Sequence, residues 1–108
     1  MIQTLTPVAL AEWLATADKT PPYLLDVREP HEVALCAISH AHCIPMTTVP
    51  QRLDDIPQDQ PIVCICHHGG RSMRVAQFLA GQGYTQIFNL TGGIDLWAQH
   101  VEPTMTRY

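Results

Sequence analysis

Seven consecutive residues hold the densest chemistry in the chain: Cys66-His67-His68-Gly69-Gly70-Arg71-Ser72. A thiol opens the run, a guanidinium and a hydroxyl close it, and two glycines lie between. Glycine tolerates positive φ, so the backbone there can curl around a point. A curled backbone aims successive N–H groups inward and makes an anion nest. A helix starting at Arg71 adds its positive end. A thiol on the floor of that cradle is favoured as thiolate, the nucleophilic form. The spacing therefore points to nucleophilic catalysis by Cys66.

Three further cysteines, Cys36, Cys43 and Cys64, raise disulfide and metal chemistry as rivals. A chain of 108 residues with 46% hydrophobic content closes a core without staples. Residues 1–14 show no basic segment followed by an apolar run, and no window of apolar residues is long enough to span a bilayer. A reducing cytoplasm and no membrane contact are expected. Cys36, Cys43 and Cys64 then read as packing residues. Cys64, Cys66, His67 and His68 crowd four ligand types into five positions. Successive strand residues face opposite sides, and structural zinc uses wider spacings, so no metal is expected. His67 and His68 read as rim residues, one of them able to assist proton transfer. Six Lys and Arg against ten Asp and Glu give a net charge of −4, which excludes wrapping nucleic acid.

The elements that must position this loop follow from apolar patterning. Ile2–Leu5 is a short strand candidate, and Thr6-Pro7 caps and starts a helix with Val8, Leu10, Ala11, Leu14 and Ala15 on one face. Pro21-Pro22 ends that unit. Residues 23–27 form a buried strand, residues 30–36 a short helix with Glu29 and Glu32 at its positive end, and residues 42–44 a short strand. Residues 48–55 make a helical turn or two. Ile62-Val63-Cys64-Ile65-Cys66 is apolar at every position, as for a central parallel strand. Residues 71–82 form the clearest helix, with Val75, Phe78, Leu79 and Gln82 on one stripe and Gly83 as its stop. Residues 86–90 make a strand, Gly92-Gly93 a turn, and residues 94–100 a last helix. This alternation is an α/β pattern: a parallel sheet covered on both faces, in one domain over residues 1–108. Ligands of such sheets bind beyond the carboxyl ends of the strands, where Cys66 lies.

Asp26-Val27-Arg28-Glu29, the Cys66–Ser72 loop and Gly92-Gly93-Ile94-Asp95-Leu96-Trp97 occur in an order and spacing that resembles single-domain rhodaneses over roughly residues 5–98. The resemblance implies a three-layer α/β/α fold with a five-stranded parallel sheet. It implies a thiosulfate sulfurtransferase in which Cys66 takes sulfane sulfur as a persulfide and passes it to cyanide or a thiol, with no cofactor. His67, His68, Gly69, Gly70, Arg71 and Ser72 would form the substrate-binding loop. Arg71 would orient an anionic donor, and Ser72 would cap the helix and donate to the sulfur. Asp26 is structural on this reading, bonded to backbone or to Arg28 at the site wall. Four residues separate Cys66 from Arg71, against five in the related cysteine phosphatases, and the tighter loop suits one sulfur atom better than phosphate.

A persulfide carrier within a sulfur relay would use the same thiol and would present an acidic surface to a basic protein acceptor. A non-catalytic interaction module fits less well, because Cys66 and Arg71 are both present. The partners expected are small-molecule donors and acceptors, a protein acceptor at most, and the chain is expected to be a monomer. Three departures from the family pattern stand out. His40 occupies a place where glycine is common, and histidine is among the more tolerant residues if φ is positive there. Cys36-Ala37 stands where Gly-His is frequent, and Gly70 adds a second glycine to the loop.

Overall fold

The computed structural model describes residues 2–108. Five parallel strands, β1 (Ile2–Leu5), β2 (Tyr23–Asp26), β3 (His42–Cys43), β4 (Ile62–Ile65) and β5 (Ile87–Leu90), form one sheet in the order β1-β5-β4-β2-β3. The all-apolar run is β4, and it takes the central place with every residue buried. The helices are α1 (Pro7–Ala15), α2 (Pro30–Val33), α3 (Gly70–Gly81) and α4 (Gly93–His100). Thr6 caps α1 by accepting from the Ala9 N–H at 3.2 Å, with Pro7 in the first turn.

Side-chain alternation along the strands divides the core into two layers. Ile62, Cys64 and Cys66 pack with Leu25, Val27 and Ile87 beneath Val75, Ala76 and Leu79 of α3. Val63, Ile65, Leu24 and Leu90 pack on the other face against Leu10 of α1 and Ile94 and Trp97 of α4. The expected three-layer α/β/α arrangement with its five-stranded parallel sheet is thus present. Among the described residues, no helix is long and apolar enough to cross a membrane.

Several boundaries differ from the sequence expectation, each for a local reason. The second helix stops at Val33 rather than Cys36, because the Arg28 guanidinium takes the carbonyls of Glu32 and Cys36 at 3.3 and 2.8 Å. Residues 46–55 form 3-10 turns broken at Arg52, with Pro50 inside. In α1, Leu10 is buried while Val8 and Leu14 are 48% and 40% exposed, so the apolar stripe is narrower than expected. Gln82 lies beyond the last turn of α3 and is exposed rather than part of its buried stripe. Cys64 is fully buried as expected, but Cys36 and Cys43 are only half-buried. The Cys43 thiol donates to the Arg28 carbonyl at 3.6 Å instead of packing in the interior.

His40 has φ +68°, the one non-glycine residue with positive φ among those described. A side chain in the left-handed region costs about 1–2 kcal/mol, partly offset by the lower entropy loss of a non-glycine residue on folding. His40→Gly is therefore expected to raise the melting temperature by roughly 3–6 °C, as read by thermal unfolding. An unchanged or lower midpoint would show that the imidazole compensates for the backbone.

Candidate active site

Cys66 follows the last residue of β4 at the carboxyl edge of the sheet and is 1% exposed. Gly69, at φ +111°, turns the chain into α3 as its N-cap. The Gly69 N–H donates to Cys66 Sγ at 3.0 Å. The sulfur thus meets the positive end of a twelve-residue helix.

The loop is held from the opposite side by α4. Its first N–H groups bind the loop carbonyls: Ile94 donates to Cys66 O at 2.9 Å and Asp95 to His67 O at 3.1 Å. In a trans peptide the N–H lies opposite the C=O, so the N–H groups of His67 and His68 turn away from α4. The Gly92-Gly93 turn makes this approach possible. Both residues have positive φ, and a Cβ on Gly93 would sit 2.4 Å from Cys66 O and 2.5 Å from His67 O. Of the inward N–H groups expected from the curled loop, that of Gly69 donates to Sγ.

Ser72 does not take the role expected for it. It is fully buried in the first turn of α3, and its hydroxyl donates to Asn89 Oδ1 rather than to the sulfur, with Gly69 O 3.2 Å away. The Asn89 amide also donates to Gly69 O at 3.2 Å. Asn89 pairs in register with Cys64 on the neighbouring strand and so shares the α3 face of the sheet. Sequence reasoning missed it. Its signal was a lone amide within the apolar segment Ile87-Phe88-Asn89-Leu90, since a buried amide must find partners.

Arg71 makes a two-pronged ion pair with Glu32, at 2.7 and 2.8 Å. The positive charge that the sequence reading assigned to donor orientation is therefore shared with a carboxylate. Arg71 holds the Glu32 carboxyl well below the usual carboxylate range, aided by the Glu29 N–H and Tyr108. Glu32 in turn raises Arg71. Glu32 also closes a capping box with Glu29 at the start of α2. The sequence placed both glutamates at the positive end of this helix, but the pairing of Glu32 across 39 residues was not visible in it.

Asp26 and Arg28 form the wall beneath Glu32. Arg28 is fully buried and grips Asp26 through Nε and Nη2, at 2.9 and 2.6 Å. Burial alone would lower Arg28, but its bonds to Asp26 and Tyr108 more than offset that and raise it. Tyr108 is a further residue that sequence reasoning missed. Its hydroxyl donates to Glu32 Oε1 and accepts from Arg28 Nη1, and its ring stacks on His67 with centroids 3.8 Å apart.

His67 lies between Tyr108 and His68, and burial followed by the neighbouring His68 lowers its pKa. His68 is exposed, with its Nε2 4.0 Å from Asp95 Oδ2. One donor atom each from His67, His68 and Asp95 lies within 4.8 Å of the others. The two rings stack at 27°, so their in-plane lone pairs run nearly side by side instead of converging on an ion. Asp95 is also bound to Arg107 at 3.1 Å. Two residues before Cys66, burial and then the nearby Cys66 push the Cys64 thiol up to about 12, which leaves it inert as a nucleophile.

A family model described as Rhodanese-like domain matches residues 7–100. A protein named sulfurtransferase from Allochromatium vinosum is 37% identical, over 95% of this chain and 94% of its own length. The thiosulfate sulfurtransferase GlpE of Actinobacillus pleuropneumoniae serotype 7 is 27% identical over the full length of both. The crystal structure of a rhodanese-like domain protein from Staphylococcus aureus superposes with a TM-score of 0.83 at 26% identity, covering 98% of each chain.

Gly93→Ala should cost more than about 2 kcal/mol in chemical denaturation, because neither backbone carbonyl can yield to the new methyl group. A loss below half that size would show that the α4 approach is slack. The lowered Glu32 carboxyl carries a pH signature. A group depressed on folding contributes its stability above its ordinary value of 4.5 and loses it as pH falls. Glu32→Gln should therefore lower the urea midpoint clearly at pH 7, and the deficit should shrink below about pH 4. A deficit independent of pH would refute the ion pair as its source.

Proposed function

The chain belongs to the rhodanese-like domain family, and on that premise we propose that it is a sulfurtransferase carrying sulfane sulfur on Cys66. The observation that carries this reading is the placement of Cys66 Sγ on the Gly69 N–H at the start of α3, with Arg71 closing the same loop. A donor such as thiosulfate supplies the sulfur. The Cys66 thiolate attacks the outer sulfur, a Cys66 S–S bond forms, and the donor S–S bond breaks with its electron pair leaving on sulfite. The terminal persulfide sulfur is anionic, and the helix end together with the Gly69 N–H stabilises charge there. Cyanide or a thiol then attacks that sulfur and returns the thiolate. The cycle is covalent and two-step, so ping-pong kinetics are expected.

Arg71 contributes positive potential to a loop in a chain of net charge −4. Because Glu32 shares that charge, the donor is drawn by a partly neutralised fork rather than by a bare cation. Burial, and then the neighbouring His68, lower the pKa of His67 and so disfavour a second positive charge in the loop. Cys66 is 1% exposed, and so little access to its thiol favours small donors and acceptors.

Reduced protein incubated with thiosulfate and cyanide should release thiocyanate, and Cys66→Ala should reduce this to the uncatalysed rate. Mass spectrometry of protein treated with donor alone should find a gain of about 32 Da, one sulfur atom, confined to Cys66. A wild-type protein that forms neither product nor adduct with any sulfane donor would end this reading. Activity that survives in Cys66→Ala but is lost in a folded Cys64→Ala would assign the chemistry to the wrong thiol.

A further inference from the structure

The proposal rests on the reading of Cys66 and Arg71 above and concerns a residue outside the span matched by the family model. Residues 101–108 pack back onto the loop, held by the Arg107–Asp95 ion pair at 3.1 Å and by Met105 against the core layer of α1 and α4. At their end, Tyr108 touches both shoulders of the loop. Its ring lies on His67, at 9° to the imidazole plane, and its hydroxyl reaches Glu32, the partner of Arg71.

The four acceptor contacts of Glu32 define what that hydroxyl does. Oε2 takes Arg71 Nη1 at 2.7 Å and the Glu29 N–H at 2.9 Å. Oε1 takes Arg71 Nη2 at 2.8 Å and the Tyr108 hydroxyl at 3.0 Å. The phenol oxygen itself accepts from Arg28 Nη1 at 3.1 Å. A hydroxyl whose oxygen accepts from a cation is a stronger donor, because chained hydrogen bonds polarise one another. Tyr108 thus links the buried Arg28 charge to the carboxylate that neutralises Arg71.

We propose that Tyr108 is a positioning residue for the sulfur-transfer site, acting through Glu32 to leave Arg71 partly uncancelled and so favour anionic sulfur donors at Cys66. The hydroxyl draws on Glu32 and loosens its electrostatic hold on the guanidinium. Without it, Glu32 spends its charge on Arg71 alone, and the attraction felt by an anion approaching the thiol falls. The stacked ring supplies the anchorage and the hydroxyl supplies the effect.

The test compares anionic iodoacetate with neutral iodoacetamide as alkylating agents in the full chain at low ionic strength. Rates are localised to Cys66 by peptide mass spectrometry. Tyr108→Phe keeps the ring and removes the hydroxyl. The ratio of iodoacetate to iodoacetamide rates should fall by about threefold or more, with the iodoacetamide rate unchanged, as expected for a change in the local potential. Glu32→Gln should move the ratio the other way, and adding Tyr108→Phe to Glu32→Gln should change nothing further.

In the sulfurtransferase assay, Tyr108→Phe should raise the thiosulfate KM by a similar factor and leave kcat within about twofold, because binding of the anion is what changes. Both alkylation rates rising together would make Tyr108 a cover over the thiol and overturn the proposal. An unchanged ratio, or a fall that persists in the Glu32→Gln background, would also overturn it. Alkylation needs no turnover, so a wild-type protein inactive with thiosulfate would end the functional reading while the ratio still decides the role of Tyr108.

Discussion

A guanidinium with no exposure to solvent has to be answered by groups around it, and Arg28 imposes that demand on a large part of the molecule. Asp26 at the end of β2 supplies the counter-charge, and the carbonyls of Glu32 and Cys36 and the phenol of Tyr108 take the remaining N–H groups. These partners come from a strand, a short helix, the segment after it and the far end of the chain. Satisfying one cation therefore fixes where α2 ends and where residues 101–108 return. It also fixes where Glu32 stands, and through Glu32 the direction of Arg71. A local polar requirement on one side of the site is thus translated into the electrostatics of the loop.

The other side is governed by sterics. The carbonyls of Cys66 and His67 are held by the first turn of α4, and that turn can come close only because Gly93 has no side chain. The sulfur is consequently held between two helix starts with different duties. One presents an N–H to Sγ, and the other ties down the backbone that carries it. Buried Ser72 and Asn89 lock the turn from β4 into α3 in a chain of bonds, Ser72 donating to the Asn89 amide oxygen and the Asn89 amide to the Gly69 carbonyl.

Much of this was legible in the chain itself, for reasons that can be named. The central strand announced itself because a strand covered on both faces must be apolar throughout, and Cys66 stood out because a thiol, paired glycines and a helix start coincide there. The helix of residues 70–81 was legible from its stripe, though its register drifted by a residue at each end. Long-range polar pairing was not legible. Glu32 and Arg71 lie 39 residues apart and Glu32 and Tyr108 lie 76 apart, and no local periodicity encodes either contact. The stripe of α1 was misjudged because periodicity marks a face without saying how much of the sheet lies beneath it. Leu14, near the helix end, remains 40% exposed.

The strand order also has a consequence for the order in which the protein can be completed during synthesis. β1 leaves the ribosome before the other four strands but pairs with β5, whose residues emerge more than eighty positions later. The loop carbonyls wait longer still, for the N–H groups of α4, and Glu32 waits for Tyr108. Cys66 is therefore translated well before the backbone that cradles it is assembled. A nascent chain carries an unsheltered thiol through the interval, and long-range parallel pairing makes that interval slow to close. The reactivity of the site thus depends on segments translated after its thiol.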